Sequence, residues 1–173
     1  MIMRKELEIS SVFGETLERL KGQGVILLAG DPPNPMTIGW GTIGFIWGKL
    51  IFTVLVRPSR FTYARMESSG EFTINLFPDA FSDQLSLCGT KSGRNVDKFA
   101  ECGFTLEQGI NVTTPFIRES SIHFECRIIH KHDLQPETLD QGILKKYYPK
   151  GDLHRVYYGE IVGVFKETGE VVN

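Results

Sequence analysis

Long hydrophobic runs are missing from this sequence. The longest purely apolar stretch, Val25–Ala29, has five residues, against the roughly 20 that a membrane-spanning helix requires. The opening Met1-Ile-Met-Arg-Lys-Glu-Leu-Glu turns charged at once, so no secretory signal is expected there. Cysteine is scarce. Cys88, Cys102 and Cys126 are an odd number with no CxxC spacing. They predict neither a disulfide framework nor a zinc or redox motif, but reduced, partly buried thiols in a cytoplasmic protein. An excess of either charge is also missing. Nineteen basic residues against 21 acidic ones leave a net charge of −2, whereas a nucleic-acid-binding domain is usually visibly basic. No repeat, low-complexity tract or proline- and serine-rich linker divides the 173 residues, so a single domain over 1–173 is expected. With 41% apolar and 23% charged residues, the composition excludes a wholly disordered chain.

Short runs rich in β-branched and aromatic residues dominate instead. Residues 49–57 (KLIFTVLVR) are the clearest predicted strand, and residues 25–30 read as a buried one. Residues 71–77 set Phe72, Ile74 and Leu76 against Thr73, Asn75 and Phe77, the pattern of a half-buried strand. Residues 120–131 set Ile122, Phe124, Cys126 and Ile128 against Ser121, His123, Glu125 and Arg127. That phase carries His130 inward. Residues 155–165 predict a last long strand, and 104–106 a short one. Helical patterns are few and short. One covers 10–21 behind Ser10 or Ser11, another 60–68 behind Ser59 and closed by Gly70, and two lie in 79–101 around the polar loop 89–95. Residues 133–153 are irregular and polar, and His154 after them reads as exposed, titrating near neutrality. About seven strands without regular helical alternation predict a mostly β, antiparallel barrel with a few short peripheral helices.

Residues 36–47 read as a strand with one bare face. Met36, Ile38, Trp40 and Thr42 share one side, while Thr37, Gly39 and Gly41 leave the other almost empty. Such a face marks either a barrel corner or the close approach of a flat ligand. The run Gly39-Trp-Gly-Thr-Ile-Gly44 matches a dinucleotide fingerprint in letters only, because strand rather than helix follows it. His130 and His132 are alternate imidazoles with no indicated third ligand, so no metal site is expected. The most informative cluster is Arg57-Pro-Ser-Arg60 with Thr62 and Tyr63. It sets two guanidinium groups and two hydroxyls at a predicted helix N-terminus, where free amides and the helix dipole favour an anion. A phosphate site and a solvated basic patch both fit that pattern. Lys91 adds a second cation in the polar loop.

Three segments in order carry a resemblance: Asn34-Pro-Met-Thr-Ile-Gly-Trp-Gly-Thr42, Val54-Leu-Val-Arg-Pro-Ser-Arg-Phe-Thr-Tyr63 and Glu71-Phe-Thr-Ile-Asn-Leu76. Thr90-Lys-Ser-Gly93, Glu125-Cys126 and His154-x-x-Tyr-Tyr-Gly-Glu160 extend it. The chain resembles the flavin reductase-like family of FMN-binding split-barrel proteins, on its flavoredoxin-like branch. The resemblance implies a Greek-key barrel, usually a homodimer with its flavin sites near the dimer interface. It implies that Asn34, Thr37, Trp40, Gly41 and Thr42 line the isoalloxazine ring. Arg57, Ser59, Arg60 and Thr62 would hold the ribityl phosphate, with Asn75 close by. Lys91 would supply a cation near the flavin, and His130 and Phe165 would flank the ring. The implied activity is that of an oxidoreductase carrying electrons through FMN, with NAD(P)H as a possible donor. The alternative is a non-catalytic FMN carrier reduced by a protein partner. His154 is the one candidate catalytic group, and Leu153, inserted in the family's Gly-Asp-His run, tilts the resemblance toward the flavoredoxin branch.

Overall fold

The computed structural model describes residues 2–171. Ten strands and five α-helices follow in the order β1 (Ile2–Glu6), α1 (Phe13–Lys21), β2 (Val25–Ala29), β3 (Asn34–Ile38), β4 (Gly41–Ile46), β5 (Lys49–Val56), α2 (Phe61–Ser69), β6 (Glu71–Leu76), α3 (Ser82–Thr90), α4 (Lys98–Cys102), β7 (Leu106–Glu107), β8 (Phe116–Ile117), β9 (Ile122–Asp133), α5 (Gln141–Tyr147) and β10 (Arg155–Val171). Among the described residues no helix is long and apolar enough to cross a membrane.

Eight strands form one antiparallel sheet in the order β3-β2-β6-β9-β10-β5-β4, with β1 added along β10. The two end strands of that path, β3 and β4, are consecutive in the chain. Only Gly39 and Trp40 separate them. A sheet whose edges are joined by two residues must curl on itself, and the apolar faces of its strands meet inside. Leu27, Phe52, Val54, Ile74, Phe124 and Tyr157 are among the residues of that core. The sequence pattern treats 36–47 as one strand; the structure breaks it at Gly39-Trp40. Gly41 sits at the resulting corner. A Cβ there would lie 3.0 Å from the Thr53 carbonyl oxygen and 3.1 Å from the Phe52 ring. The barrel-corner reading therefore holds at Gly41.

A second apolar cluster lies outside the sheet, where Ile26, Leu28, Phe77, Leu85, Cys88, Cys102, Phe104 and Ile117 pack together. β2 feeds both clusters, with Leu27 pointing one way and Ile26 and Leu28 the other. This explains its unbroken apolar run. β6 is buried on both faces rather than half-buried, because β8 covers its polar side. There the Thr73 hydroxyl donates to the Pro115 carbonyl at 2.8 Å, and Asn75 Oδ1 accepts from the Ile117 amide at 2.9 Å.

Two expectations about helix starts are corrected. Ser11 Oγ donates back to the Glu8 carbonyl at 2.6 Å, and α1 begins two residues later without a side-chain cap. α2 begins after Arg60, also uncapped, because Ser59 is engaged elsewhere; Gly70 closes it in the left-handed conformation with φ +66°. In β9 the pairing shifts between Ile128, opposite Gly159, and His130, opposite Tyr158. This one-residue bulge reverses the phase of the alternation. His130 is therefore exposed, not inward, and its ring lies against Trp47, His132 and Tyr158.

Gly159 faces the core on β10. A Cβ there would strike the Phe72 ring and lie 2.9 Å from the Cys126 Cβ. Gly159→Ala is expected to destabilise the fold by about 1–3 kcal/mol through overpacking. A denaturant midpoint equal to that of the wild type would contradict this placement.

Candidate functional site

The seam between β3 and β4 opens into a cleft with two adjoining cavities. The larger, about 230 Å³, is bordered by Thr37, Gly39, Trp40, Leu55, Arg57 and His154. The smaller, about 130 Å³, lies between the start of α2 and the loop after α3. Met36, Arg60 and Gly89 border both, which makes the cleft continuous.

The smaller cavity is built for negative charge. Arg60, Lys91, Arg94 and Lys98 line it, together with the hydroxyl-bearing Ser59, Thr62, Thr90 and Ser92, and no carboxylate does. Its wall is fixed from within the protein. The Asn34 side-chain amide donates to the buried Thr62 hydroxyl at 2.8 Å. Gly93 crosses directly over that pair, where any Cβ would run into the Asn34 amide and the Phe61 ring. Lys98, only 4% exposed, donates from Nζ to the Pro35 carbonyl at 2.9 Å and the Cys88 carbonyl at 2.8 Å. It makes no ion pair with a carboxylate among the described residues. Burial accordingly lowers its pKa, and Arg60 adds to the effect. A buried ammonium held only by carbonyl dipoles leaves the cavity short of negative charge.

The larger cavity is bordered by His154, at the end of the segment 147–154. Arg57 holds that segment in place, donating to the carbonyls of Tyr147 (2.9 Å) and Asp152 (3.0 Å), with its guanidinium 4.8 Å above the Tyr148 ring. Ser59 donates from its hydroxyl (2.6 Å) and its amide (3.2 Å) to the Asp152 carboxylate. Asp152 itself sits at φ +59°, a conformation that Asp tolerates better than most residues. The Ser59 donors expected to meet an anion at this turn are thus taken by a carboxylate of the chain itself.

His154 is buried rather than exposed. The Tyr148 hydroxyl lies 2.7 Å from its Nδ1. Burial, with Arg57 nearby, pushes its pKa from 6.5 down to about 4. The ring is neutral at pH 7 and shares one hydrogen bond with the phenol. Trp40, 42% exposed, stands edge-on to Tyr147 at 5.0 Å and 5.3 Å from the His154 ring. The Thr37 hydroxyl donates to the Leu85 carbonyl at 2.6 Å, tying β3 to α3.

The cleft therefore brings together Asn34, Thr37, Trp40, Arg57, Ser59, Arg60, Thr62, Lys91 and His154 of the residues singled out from the sequence. Gly41 and Thr42 do not border it; Gly41 packs on Phe52, and Thr42 is exposed opposite Thr53. Asn75 faces β8 across the sheet, with its amide donating to the Thr73 hydroxyl at 3.1 Å. His130 is on the outer surface. Phe165 is buried in a separate stack, 5.1 Å from His123, whose other face meets Phe116 at 3.9 Å. The sequence reading misses Arg94, Lys98 and the Tyr147–Tyr148 pair. Asp97 carries the only local signal for Lys98: its carboxylate caps α4 by accepting from Phe99 and Ala100 at 3.1 Å, which fixes where the next side chain starts.

The model of the flavin reductase like domain matches residues 19–171. The chain belongs to the flavin reductase-like family, and its fold is that family's split barrel. Among solved structures it is similar to flavoredoxin of Desulfovibrio vulgaris (Miyazaki F), at 24% identity, 86% of this chain and 72% of that chain covered, and a TM-score of 0.67. It is similar to an FMN-binding protein from Thermus thermophilus, at 22% identity, 84% and 70% covered, and a TM-score of 0.65. The NADH:FAD oxidoreductase of Streptomyces globisporus C-1027 matches at 15% identity, 84% and 75% covered, and a TM-score of 0.63. No curated protein matches the chain.

The buried His154 has a consequence for stability. Between pH 6.5 and about 4 the unfolded chain protonates this histidine and the folded protein does not. Stability therefore falls as pH drops through that window, by about 3 kcal/mol for this one group. Denaturant midpoints from pH 7 to pH 4 should decline more steeply in the wild type than in His154→Gln. Parallel declines would place the titration elsewhere.

Proposed function

We propose that the chain is an FMN-dependent oxidoreductase whose cleft takes the phosphate in the smaller cavity and the isoalloxazine ring in the larger. The observation that carries this reading is the donor set of the smaller cavity: four cations and four hydroxyl-bearing residues without a carboxylate. A phosphomonoester dianion complements the four cations, and a neutral ligand leaves their charge uncompensated. The larger cavity beside it, bordered by Gly39 and Trp40, suits a planar ring. Family membership supports the same choice of cofactor.

Bound FMN supplies the redox chemistry, accepting a hydride or passing electrons on. The residues around it have separable tasks in this reading. Arg60, Lys91 and Arg94 neutralise the phosphate. Asn34 holds the Thr62 hydroxyl at the cavity wall. Arg57 borders the ring cavity while keeping the 147–154 wall closed. Its positive charge favours the anionic reduced ring. Neutral His154 serves as a hydrogen-bonding group at the cavity, not as a proton source at pH 7. Lys91, placed by the resemblance near the flavin, falls at the phosphate end.

A reduced nicotinamide is the proposed electron donor. An electron carrier reduced by another protein is the competing assignment, and hydride acceptance separates the two. We also infer a homodimer, supported by the exposed Phe45, Ile46 and Trp47 where β4 turns into β5. A cytoplasmic location is consistent with three free cysteines.

The purified protein should bind FMN, and anaerobic NADH or NADPH should bleach the bound flavin within minutes. An unbleached flavin would favour the carrier. Arg60→Ala and Lys98→Met are each expected to weaken FMN binding by about 1.5–3 kcal/mol and riboflavin binding far less, because the lost term is a charged hydrogen bond or its support. Equal affinity of the wild type for FMN and riboflavin, read by fluorescence titration, would show that the phosphate is not recognised. Light scattering tests the dimer.

A further inference from the structure

We propose that Cys88 and Cys102 form an oxidation site, closed by a hydroperoxide into a disulfide between α3 and α4 that loosens the anion-binding end of the cleft.

The sequence spacing gives no hint of this pair, yet the fold brings the two Sγ atoms to 3.8 Å. A disulfide needs about 2.05 Å, so the sulfurs must approach by less than 2 Å. They come from separate helices connected by the loop 91–97, not from one rigid element. α4 has five residues and ends at Gly103 in the left-handed conformation. Neither thiol is committed to a strong partner; the Cys102 Sγ is 3.8 Å from the Gln84 carbonyl. Burial raises the pKa of both thiols, that of Cys88 to about 12, and the nearby Lys98 charge offsets this only in part, so the thiolate is a minor species and the reaction needs excess peroxide. Cys126 is fully buried in the barrel core and serves as an internal control.

Cys102 is the more exposed of the pair, 8% against 1%, and is the attacking group. Its thiolate attacks one oxygen of hydrogen peroxide. The O–O bond breaks, and Cys102 becomes a sulfenic acid while hydroxide leaves and is protonated to water. The Cys88 thiol then attacks the Cys102 sulfur. The S–S bond forms, the S–O bond breaks, and a second water leaves with the Cys88 proton. Two thiols are oxidised by two electrons, and one peroxide is reduced to two waters. Reduced flavin exposed to oxygen is a source of that peroxide.

The link to the cleft is geometric. The Cys88 carbonyl is one of the two acceptors that hold Lys98. The next residue, Gly89, borders both cavities and packs so closely that a Cβ there would lie 3.3 Å from Thr37 Cβ. Drawing Cys88 toward Cys102 displaces this wall. The oxidation site itself does not depend on the flavin assignment; the effect on FMN does.

The wild-type protein, with and without excess hydrogen peroxide, is denatured, alkylated with iodoacetamide and analysed by mass spectrometry. The untreated protein should carry three alkylated cysteines. The oxidised protein should carry one, on Cys126, with the Cys88 and Cys102 peptides cross-linked. Dithiothreitol should restore all three, and Cys102→Ser should form no cross-link. FMN affinity should fall roughly tenfold on oxidation in the wild type and not in Cys102→Ser. Three alkylated cysteines after treatment, or a cross-link through Cys126 or between chains, would overturn the site. A Cys88–Cys102 cross-link that leaves FMN affinity unchanged would overturn the link to the cleft. Failure of untreated wild type to bind FMN would refute the flavin assignment, with the thiol count still deciding the oxidation site.

Discussion

The two-residue connection at Gly39-Trp40 is the constraint on which the rest of this structure depends. It ties the opposite edges of an antiparallel sheet together, so the sheet closes around its core without a hydrogen-bonded seam between β3 and β4. A closed barrel hides its edges by pairing them. Here the gap stays open, and the polar groups beside it become available to something else. Met36, Thr37, Ile38, Gly39 and Trp40, the residues along this junction, border the larger cavity for that reason. The cleft is a product of how the barrel closes, not a depression added to it.

Electrostatics then divides the cleft. The anion end concentrates cations that the protein does not neutralise, and one of them, Lys98, is nearly inaccessible to water. Carbonyl oxygens from β3 and α3 stabilise its charge only in part, which is why burial lowers its pKa. At the other end the chain supplies its own counter-charge. Asp152 takes both donors of Ser59, and Arg57 is engaged with two carbonyls of the same segment. Two arginines only three positions apart therefore have different jobs. Arg57 organises the 147–154 segment, while Arg60 borders both cavities.

The fold is legible in the sequence wherever periodicity and residue type agree. β5 is rich in β-branched and aromatic side chains, and β2 is continuously apolar because it is buried on both faces. The cation-lined cavity is legible in part, because Ser59, Arg60 and Thr62 sit at a turn followed by a helix, although Ser59 bonds to Asp152 instead of capping that helix. Long strands are less forgiving. The bulge between Ile128 and His130 reverses the phase of β9, and β10 carries shifts of its own. A histidine counted as inward ends up on the surface, and Phe165 stacks on His123 far from the cleft. Lys98 and the Cys88–Cys102 pair are illegible for another reason. Both depend on α3 and α4 docking against β3 and the outer cluster, a contact between segments whose individual sequences look like polar surface.

This difference between local and docked features bears on how the cleft would bind a cofactor. Asn34 and Thr62 are fixed by their mutual bond, Gly93 packs against Asn34, and Lys98 is held by the Pro35 and Cys88 carbonyls. Ordering them has already been offset by folding, so an anion entering that end meets donors that need little rearrangement. The larger cavity is held differently, by a loop segment fastened at Arg57 and Ser59, against which a partly exposed Trp40 packs. Loops of this kind open at lower free energy than packed strands. With FMN seated as proposed, anchoring by its phosphate and access to its ring would be adjusted independently. A tightly held cofactor remains compatible with an electron donor that visits only briefly, provided that the 147–154 wall, and not the anion end, is the part that yields.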